Sequence, residues 1–133
     1  MPRYLLDTNI LSDLERNPRG SVAKRIAHVG QERICTSIIV AAEIRYGAAK
    51  RGSPRLERNL EMILNSLDIL PLEPKADRIY GSLRLSLEQT GKPIGPNDLL
   101  IASQTMALRY TLVTDNVKEF SRIKSLAVQN WLR

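Results

Sequence analysis

The sequence predicts an α/β fold, in which a central parallel sheet of about four to five short strands is flanked by helices on both faces. Short apolar segments alternate with longer segments whose apolar residues recur every three or four positions. This alternation is typical of parallel α/β sheets. The 133 residues fit a single domain, residues 1–133. The single cysteine, Cys35, excludes an internal disulfide, and its apolar neighbours predict a buried side chain rather than a nucleophile.

The first half of the chain contains two predicted strands and four predicted helices. Asp7 ends the first apolar run, Ser37 is a good N-cap, and Pro54 favours the first turn of a helix. In order, the predicted elements are a strand at 3–6, a helical face at 10–14, a helix at 21–29, a strand at 34–36, a helix from 38 to about 50 and an amphipathic helix from 54 to about 67.

The second half continues the alternation with three strands and two helices. Gly95 and Pro96 favour the start of a helix, and Thr90–Gly91 favours the end of the one before it. The predicted elements are a strand at 68–72, a helix from 76 to about 90, a helix from 95 to about 109, a strand at 111–113 and a short strand at 126–128.

The charge of the chain favours a polyanionic partner. The formal net charge is +6 and the sequence pI is about 9.8. A basic protein of this kind attracts nucleic acid electrostatically. Neither a basic-then-apolar leader nor an apolar run of about eighteen residues is present, so we expect a cytoplasmic protein with no membrane partner.

Polar residues follow two of the predicted strands. Asp7 and Thr8 come directly after the first strand, and Thr114, Asp115 and Asn116 follow the fourth. The carboxyl ends of parallel strands lie at one edge of the sheet, where sites gather. Each residue also has a structural interpretation: Asp7 or Thr8 as an N-cap, and the later group as a turn.

Two further acids lie in apolar helical segments. Glu43 belongs to the stretch 38–44, where a carboxylate is costly unless it is paired or binds a metal. An ion pair with Arg45 or Arg84 is the alternative. Asp98 lies in the first turn of the helix that follows Pro96, where the helix dipole alone would also favour an acid.

Together these acids predict a metal site. Converging carboxylates repel one another unless a cation lies among them, and oxygen ligands suit Mg²⁺, with Mn²⁺ as a substitute. The only histidine, His28, lies on a predicted peripheral helix, so a metal-free mechanism lacks its usual acid and base groups. One cysteine excludes a multi-cysteine zinc site, and no glycine-rich phosphate loop is present.

Four segments of the chain resemble the PIN-domain ribonucleases, and specifically the VapC toxins of bacterial toxin–antitoxin pairs. They occur in the family's order and spacing and extend over essentially the whole length. The segments are Leu5–Asn9 (LLDTN), Ser37–Gly47 (SIIVAAEIRYG), Lys92–Ala102 (KPIGPNDLLIA) and Leu112–Phe120 (LVTDNVKEF).

The resemblance implies a PIN-like fold and a magnesium-dependent endoribonuclease that hydrolyses RNA phosphodiester bonds. It assigns metal binding to Asp7, Glu43 and Asp98 and leaves the fourth position between Asp115 and Asn116. It also implies a homodimer and a cognate antitoxin, which would bind the helical pair between residues 38 and 67. The run 92–96 resembles the subgroup that cuts initiator transfer RNA in the anticodon region.

Basic side chains near the predicted site would bind the RNA backbone. Thr8 would hydrogen-bond a phosphate or an acid, and Thr114 would cap or support the site. Aromatic residues are few, and we expect Tyr46 and Trp131 to pack in the fold. The basic candidates are Arg45, Lys50, Arg51, Arg55, Arg84 and Lys92.

Two other functions compete with the nuclease prediction. A PIN-like domain without catalysis could bind RNA or an antitoxin. A receiver-like phosphotransfer domain would also be acidic and magnesium-dependent. It would need a further aspartate near the end of the first strand, whereas the next acid after Asp7 is Asp13, more than a helical turn away.

Overall fold

The computed structural model describes residues 2–133. The first seven elements are β1 (Tyr4–Leu6), α1 (Thr8–Arg16), α2 (Ser21–Val29), a 3-10 turn (Gln31–Arg33), β2 (Ile34–Ser37), α3 (Ile38–Arg51) and α4 (Pro54–Asn65). The remaining six are β3 (Asp68–Leu70), α5 (Ala76–Gln89), α6 (Pro96–Leu108), β4 (Thr111–Val113), α7 (Val117–Phe120) and β5 (Val128–Gln129).

The five strands form one parallel sheet in the order β3-β2-β1-β4-β5. Leu5 of β1 lies opposite Cys35 of β2 on one side and Leu112 of β4 on the other. The strands that follow β1 in sequence, β2 and β3, are therefore added on one side of it, and β4 and β5 are added on the other side. Such a reversal of strand order opens a crevice at the carboxyl ends of the strands. The predicted fold class, a parallel sheet flanked by helices, is confirmed.

The strands are buried along their whole central part. Leu5, Leu6, Leu112 and Val113 have no exposed surface. Successive residues of a strand point to opposite faces of the sheet. Because two consecutive residues are buried in both β1 and β4, both faces of the sheet are covered. Cys35 is buried as predicted, and burial raises the pKa of its thiol to about 11. None of the helices in the described part of the chain is long and apolar enough to cross a membrane.

Three differences between the structure and the predicted elements have a clear physical reason. The third strand ends at Leu70, because Pro71 has no N–H for a further ladder bond. The fifth strand lies at 128–129 rather than 126–128. The chain turns before it, and the backbone N–H of Leu126 donates to the carbonyl of Ile123. Helix α7 was not predicted, since four residues are too short to show a helical period.

A buried glutamine connects three elements of the fold. Gln104 of α6 is 2% exposed. Its Nε2 donates to the carbonyl oxygens of Leu70 at 3.1 Å and Pro71 at 3.0 Å, and its Oε1 accepts from the hydroxyl of Ser37. Ser37 also caps α3 by accepting from the N–H of Ile39 at 3.0 Å. The network ties α6 to β3 and to the start of α3, the helix that carries Glu43.

Replacing Gln104 by leucine is expected to lower the free energy of unfolding by about 2–4 kcal/mol, because buried carbonyl and hydroxyl groups lose their partners. Urea unfolding at equilibrium measures the change. Gln89, which is exposed at the end of α5, offers a matched control. Gln89→Leu should alter stability by no more than about 0.5 kcal/mol. Equal stabilities for the two variants would refute the structural role of the network.

Candidate active site

The acidic residues are positioned by the reversal of strand order between β1 and β4. Asp7 is the first residue after β1, and its backbone N–H donates to the carbonyl of Val113 at 2.9 Å. This bond extends the β1–β4 pairing by one residue and places the Asp7 side chain at the crevice. Residues 114–116 follow β4 at the same edge of the sheet.

Two hydrogen bonds hold the Asp7 carboxylate, which is 4% exposed. Oδ1 accepts from the backbone N–H of Thr8 at 2.8 Å, and Oδ2 accepts from the hydroxyl of Thr114 at 2.8 Å. Burial raises the pKa of Asp7, the two hydrogen bonds oppose that rise, and the charges of Glu43 and Glu119 add to it. Asp7 is thus the N-cap of α1 and also a buried acid beside other acids.

Thr114 connects the ends of β1 and β4. This buried residue donates to Asp7 and accepts from the backbone N–H of Asn116 at 3.0 Å and from Nδ2 of Asn9 at 3.4 Å. The Asn9 side chain in turn accepts from the backbone N–H of Asp115 at 2.9 Å. These bonds fix the orientation of the Asp7 carboxylate, and no carboxylate takes part in them except that of Asp7.

Glu43 lies half-buried in the second turn of α3, and its Oε1 accepts from the hydroxyl of Thr8 at 3.3 Å. The ion-pair alternative for Glu43 is excluded in the described residues, because Arg45 pairs with Glu61 and Arg84 pairs with Glu88. Glu43 therefore faces the acidic crevice without a compensating cation from residues 2–133.

Asp98 and Glu119 bring two more carboxyl groups to the crevice. Asp98 lies in the first turn of α6 and Glu119 on α7. The pKa of Asp98 is raised to about 7, first by burial, then by a hydrogen bond with the Glu119 carboxyl and by the charges of Asp7, Glu119 and Glu43. Oε1 of Glu119 is buried and has no hydrogen-bond donor within residues 2–133.

Glu119 is the acidic residue of the crevice that the sequence analysis missed. It lies within the fourth family-like segment, but nothing in that segment distinguished its carboxylate from an ordinary exposed one. One sequence signal was available: Phe120, the next residue, is a large apolar side chain that predicts packing against the core, and the structure buries it fully.

Asp115 and Asn116 are the two residues between which the fourth position was left open. The exposed Asp115 carboxylate accepts from Nδ2 of Asn130 at 2.9 Å and lies 4.0 Å from a guanidinium nitrogen of Arg133. Asn116 precedes α7 and its backbone N–H is used by Thr114. Asp115 is not among the charges that raise the pKa of Asp98 or Asp7.

The predicted RNA-binding cations have different surroundings. Arg45 and Arg84 are exposed but engaged, by Glu61 and by Glu88 respectively. The Lys50 ammonium lies 6.0 Å from the centroid of the Tyr46 ring, and Lys92 is exposed in the segment before α6. The packing prediction is confirmed for Trp131, which is 1% exposed, and wrong for Tyr46, which is 68% exposed on α3.

The chemistry of the donor set fits a hard divalent cation. All four carboxyl groups offer oxygen, one buried oxygen has no donor, and burial together with the charges of the neighbouring acids raises the pKa of Asp98. Within residues 2–133 no three acidic, histidine or cysteine side chains are close enough to ligate one ion together. Mg²⁺ keeps several of its waters and commonly takes only one or two protein carboxylates directly, so an open arrangement of this kind suits it.

The fold and this acidic crevice define a PIN domain, and the chain belongs to the PIN-domain family, whose model matches residues 4–126. Within that family, similar proteins include VapC ribonucleases. Ribonuclease VapC2 of Rickettsia felis is 42% identical over 132 residues, which cover 96% of this chain and 97% of the relative. The tRNA(fMet)-specific endonuclease VapC of Shigella flexneri is 34% identical over 134 residues, which cover 98% of this chain and 99% of the relative.

Solved structures agree with this assignment. The VapBC2 complex of Rickettsia felis, bound to a DNA fragment from its promoter, contains a chain with a TM-score of 0.86 and 41% identity, over 96% of this chain and 98% of that chain. The DNA-bound VapBC of Salmonella typhimurium gives a TM-score of 0.87 at 32% identity, over 98% and 99% of the two chains. The predicted resemblance to VapC-type PIN domains is confirmed.

Proposed function

We propose that the protein is a metal-dependent endoribonuclease that hydrolyses phosphodiester bonds at the acidic crevice. The observation that carries this proposal is the convergence of Asp7, Glu43, Asp98 and Glu119, which come from four different parts of the chain. A domain with no catalytic role would gain nothing from holding these acids together at a cost in stability. The names of the VapC relatives, ribonuclease and endonuclease, support the same activity.

The acidic crevice would hold Mg²⁺, or Mn²⁺ in its place, through one or two of these carboxylates directly and through water for the others. The cation would supply an activated water and stabilise charge on the phosphoryl and leaving oxygens. The chain's own residues set the geometry: Thr114 and the N–H of Thr8 orient Asp7, and the Thr8 hydroxyl orients Glu43. Hydrolysis by water leaves a 5′-phosphate and a 3′-hydroxyl.

The proposed substrate is transfer RNA, with the anticodon region of the initiator species as the first candidate. The 34% identical relative from Shigella flexneri carries that specificity in its name, and the run 92–96 resembles the same subgroup. We further propose a cognate antitoxin, because the two solved relatives above are VapBC complexes. The resemblance to VapC toxins also implies a homodimer. Tyr46 and Met62, both about 70% exposed on α3 and α4, offer apolar contacts to an antitoxin.

End-labelled total transfer RNA incubated with antitoxin-free protein tests the proposal. We expect cleavage with Mg²⁺ and with Mn²⁺, none in EDTA, and fragments that end in a 5′-phosphate and a 3′-hydroxyl. Asp7→Asn, purified in the same way, controls for a contaminating nuclease and should cut nothing.

Two results would refute the nuclease proposal. Cleavage that continues in EDTA would exclude the metal, and a 2′,3′-cyclic phosphate would show that the RNA's own hydroxyl attacks. Binding of RNA without cleavage under any metal would favour the alternative of a non-catalytic binding module.

A further inference from the structure

A groove between α1, α3 and α4 leads away from the acidic crevice. Thr8 and Glu43 lie at its lining, so the groove and the crevice are continuous. The cavity has a volume of about 150 Å³. The apolar part of the lining consists of Ile44, Ala48, Leu56 and Leu60. A polymer bound at the crevice can therefore extend into this groove.

Two arginines line the same groove. Arg16 lies in the last turn of α1 and Arg51 in the last turn of α3. Both side chains are exposed, and neither forms an ion pair or donates a hydrogen bond to any acceptor among residues 2–133. Arg45, on the same helix as Arg51, is in contrast held by Glu61. The donors of Arg16 and Arg51 are thus available to a ligand.

The acids of the groove form no ion pair with these arginines. Glu43 accepts from Thr8 at the end that joins the crevice. Glu15, the other acid of the lining, accepts from Nδ2 of Asn59 at 3.1 Å. The groove therefore has separate positions for an anion and for a hydrogen-bond donor, as an RNA strand with its phosphates and 2′-hydroxyls would need.

We propose that Arg16 and Arg51 bind a backbone phosphate of the RNA strand next to the phosphate that is cleaved. The inference rests on the proposed function and adds a positioning site to it. A guanidinium offers a planar set of donors that matches phosphate oxygens. The apolar lining between the arginines and the crevice gives the intervening ribose or base a surface to contact.

The position of both arginines also has a purely structural explanation. Each lies in the last turn of a helix, where a positive charge interacts favourably with the helix dipole. That explanation predicts a loss of stability on substitution and no change in RNA binding. A phosphate site predicts weaker RNA binding and nearly unchanged stability. Cleavage kinetics and thermal unfolding together therefore separate the two explanations.

The test is steady-state cleavage of end-labelled transfer RNA by the full-length double variant Arg16→Gln/Arg51→Gln, across a series of KCl concentrations. We expect KM to rise about tenfold with kcat within about twofold, and the plot of log(kcat/KM) against log salt to lose about 0.7 in slope for each lost phosphate contact. Tm should stay within about 2 °C. Arg16→Lys/Arg51→Lys, which keeps the charge but not the planar set of donors, should recover the salt dependence and only part of the loss in KM.

Arg58→Gln/Arg78→Gln is the matched control. Arg58 and Arg78 are exposed and lie on α4 and α5, outside the groove. Their substitution removes the same number of positive charges. If the groove variant raises KM no more than this control, or if its effect is confined to kcat or Tm, the inference is wrong while the nuclease activity stands. If the wild type cuts no RNA, the proposed function fails, and the salt dependence of tRNA binding by fluorescence anisotropy then decides the role of the arginines.

Discussion

Replacing Asp98 by asparagine is expected to lower kcat/KM for RNA cleavage by about 10³-fold or more and to stabilise the metal-free protein. Asparagine keeps the shape of the side chain and removes its charge, so the crevice loses a ligand for the cation and the electrostatic stabilisation that depends on it. Cleavage of labelled transfer RNA in excess Mg²⁺ measures the first effect. Activity within about tenfold of the wild type would remove Asp98 from the catalytic site.

The gain in stability follows from the direction of the pKa shift. In the folded protein the pKa of Asp98 is about 7, whereas the ordinary value is 3.8. A carboxyl group whose folded-state pKa is raised costs no stability below the ordinary value. Its ionisation destabilises the fold increasingly as pH rises toward 7, and fully above it. Asp98→Asn removes that cost.

Unfolding in EDTA at pH 8 should therefore show the variant to be more stable, by on the order of 1–2 kcal/mol once the screening of this half-buried group is allowed for. The difference should disappear near pH 4. Saturating Mg²⁺ should stabilise the wild type and leave the variant nearly unchanged. A variant that is less stable than the wild type at pH 8 in EDTA would contradict the picture of mutually repelling acids.

The second large effect is expected from Glu119→Gln, with a loss of about 10²–10³-fold in kcat/KM. The carboxyl group of Glu119 adds to the rise in the pKa of Asp98 that burial causes, and its Oε1 is buried with no donor in the described part of the chain. We propose on this basis that Glu119 fills the fourth position of the site. Removing its charge weakens the interaction with the cation and with the charge that develops during the reaction.

Asp115→Asn and Asn116→Ala provide the comparison, because the sequence left the fourth position between these two residues. The Asp115 carboxylate is engaged by Asn130, away from the acids around Asp98. We therefore expect less than about a threefold change in kcat/KM for Asp115→Asn. A loss as large as that of Glu119→Gln would return Asp115 to the metal site, and an equally large loss in Asn116→Ala alone would assign the fourth position to Asn116.

Asp7, Glu43 and Asp98 were predictable because their local surroundings are unusual. An acid at the end of an apolar strand, within an apolar helical stretch or in the first turn of an apolar helix stands out from ordinary surface acids. The apolar strands themselves mark both faces of the sheet as covered, as they are in parallel α/β packing. Local sequence therefore contained the fold class and most of the acidic site.

The place of Glu119 among the acids, and which arginines form ion pairs, could be known only from the tertiary structure. Glu119 becomes a site residue only because Phe120 holds α7 against the core and brings its neighbour to Asp98. Arg45 is engaged because α4 places Glu61 beside it, sixteen residues away, while Arg16 and Arg51 have no such partner among residues 2–133.

The sequence by itself determined the alternation of strands and helices, the basic charge and three of the four acids, because each of these depends on residues adjacent in the chain. The tertiary structure alone decided which distant side chains meet: the hydrogen bond from Thr114 to Asp7, the pairing of Asp98 with Glu119 and the groove that contains the two arginines. Electrostatic interactions depend on distance in space rather than on separation in sequence, and so only the fold reveals them.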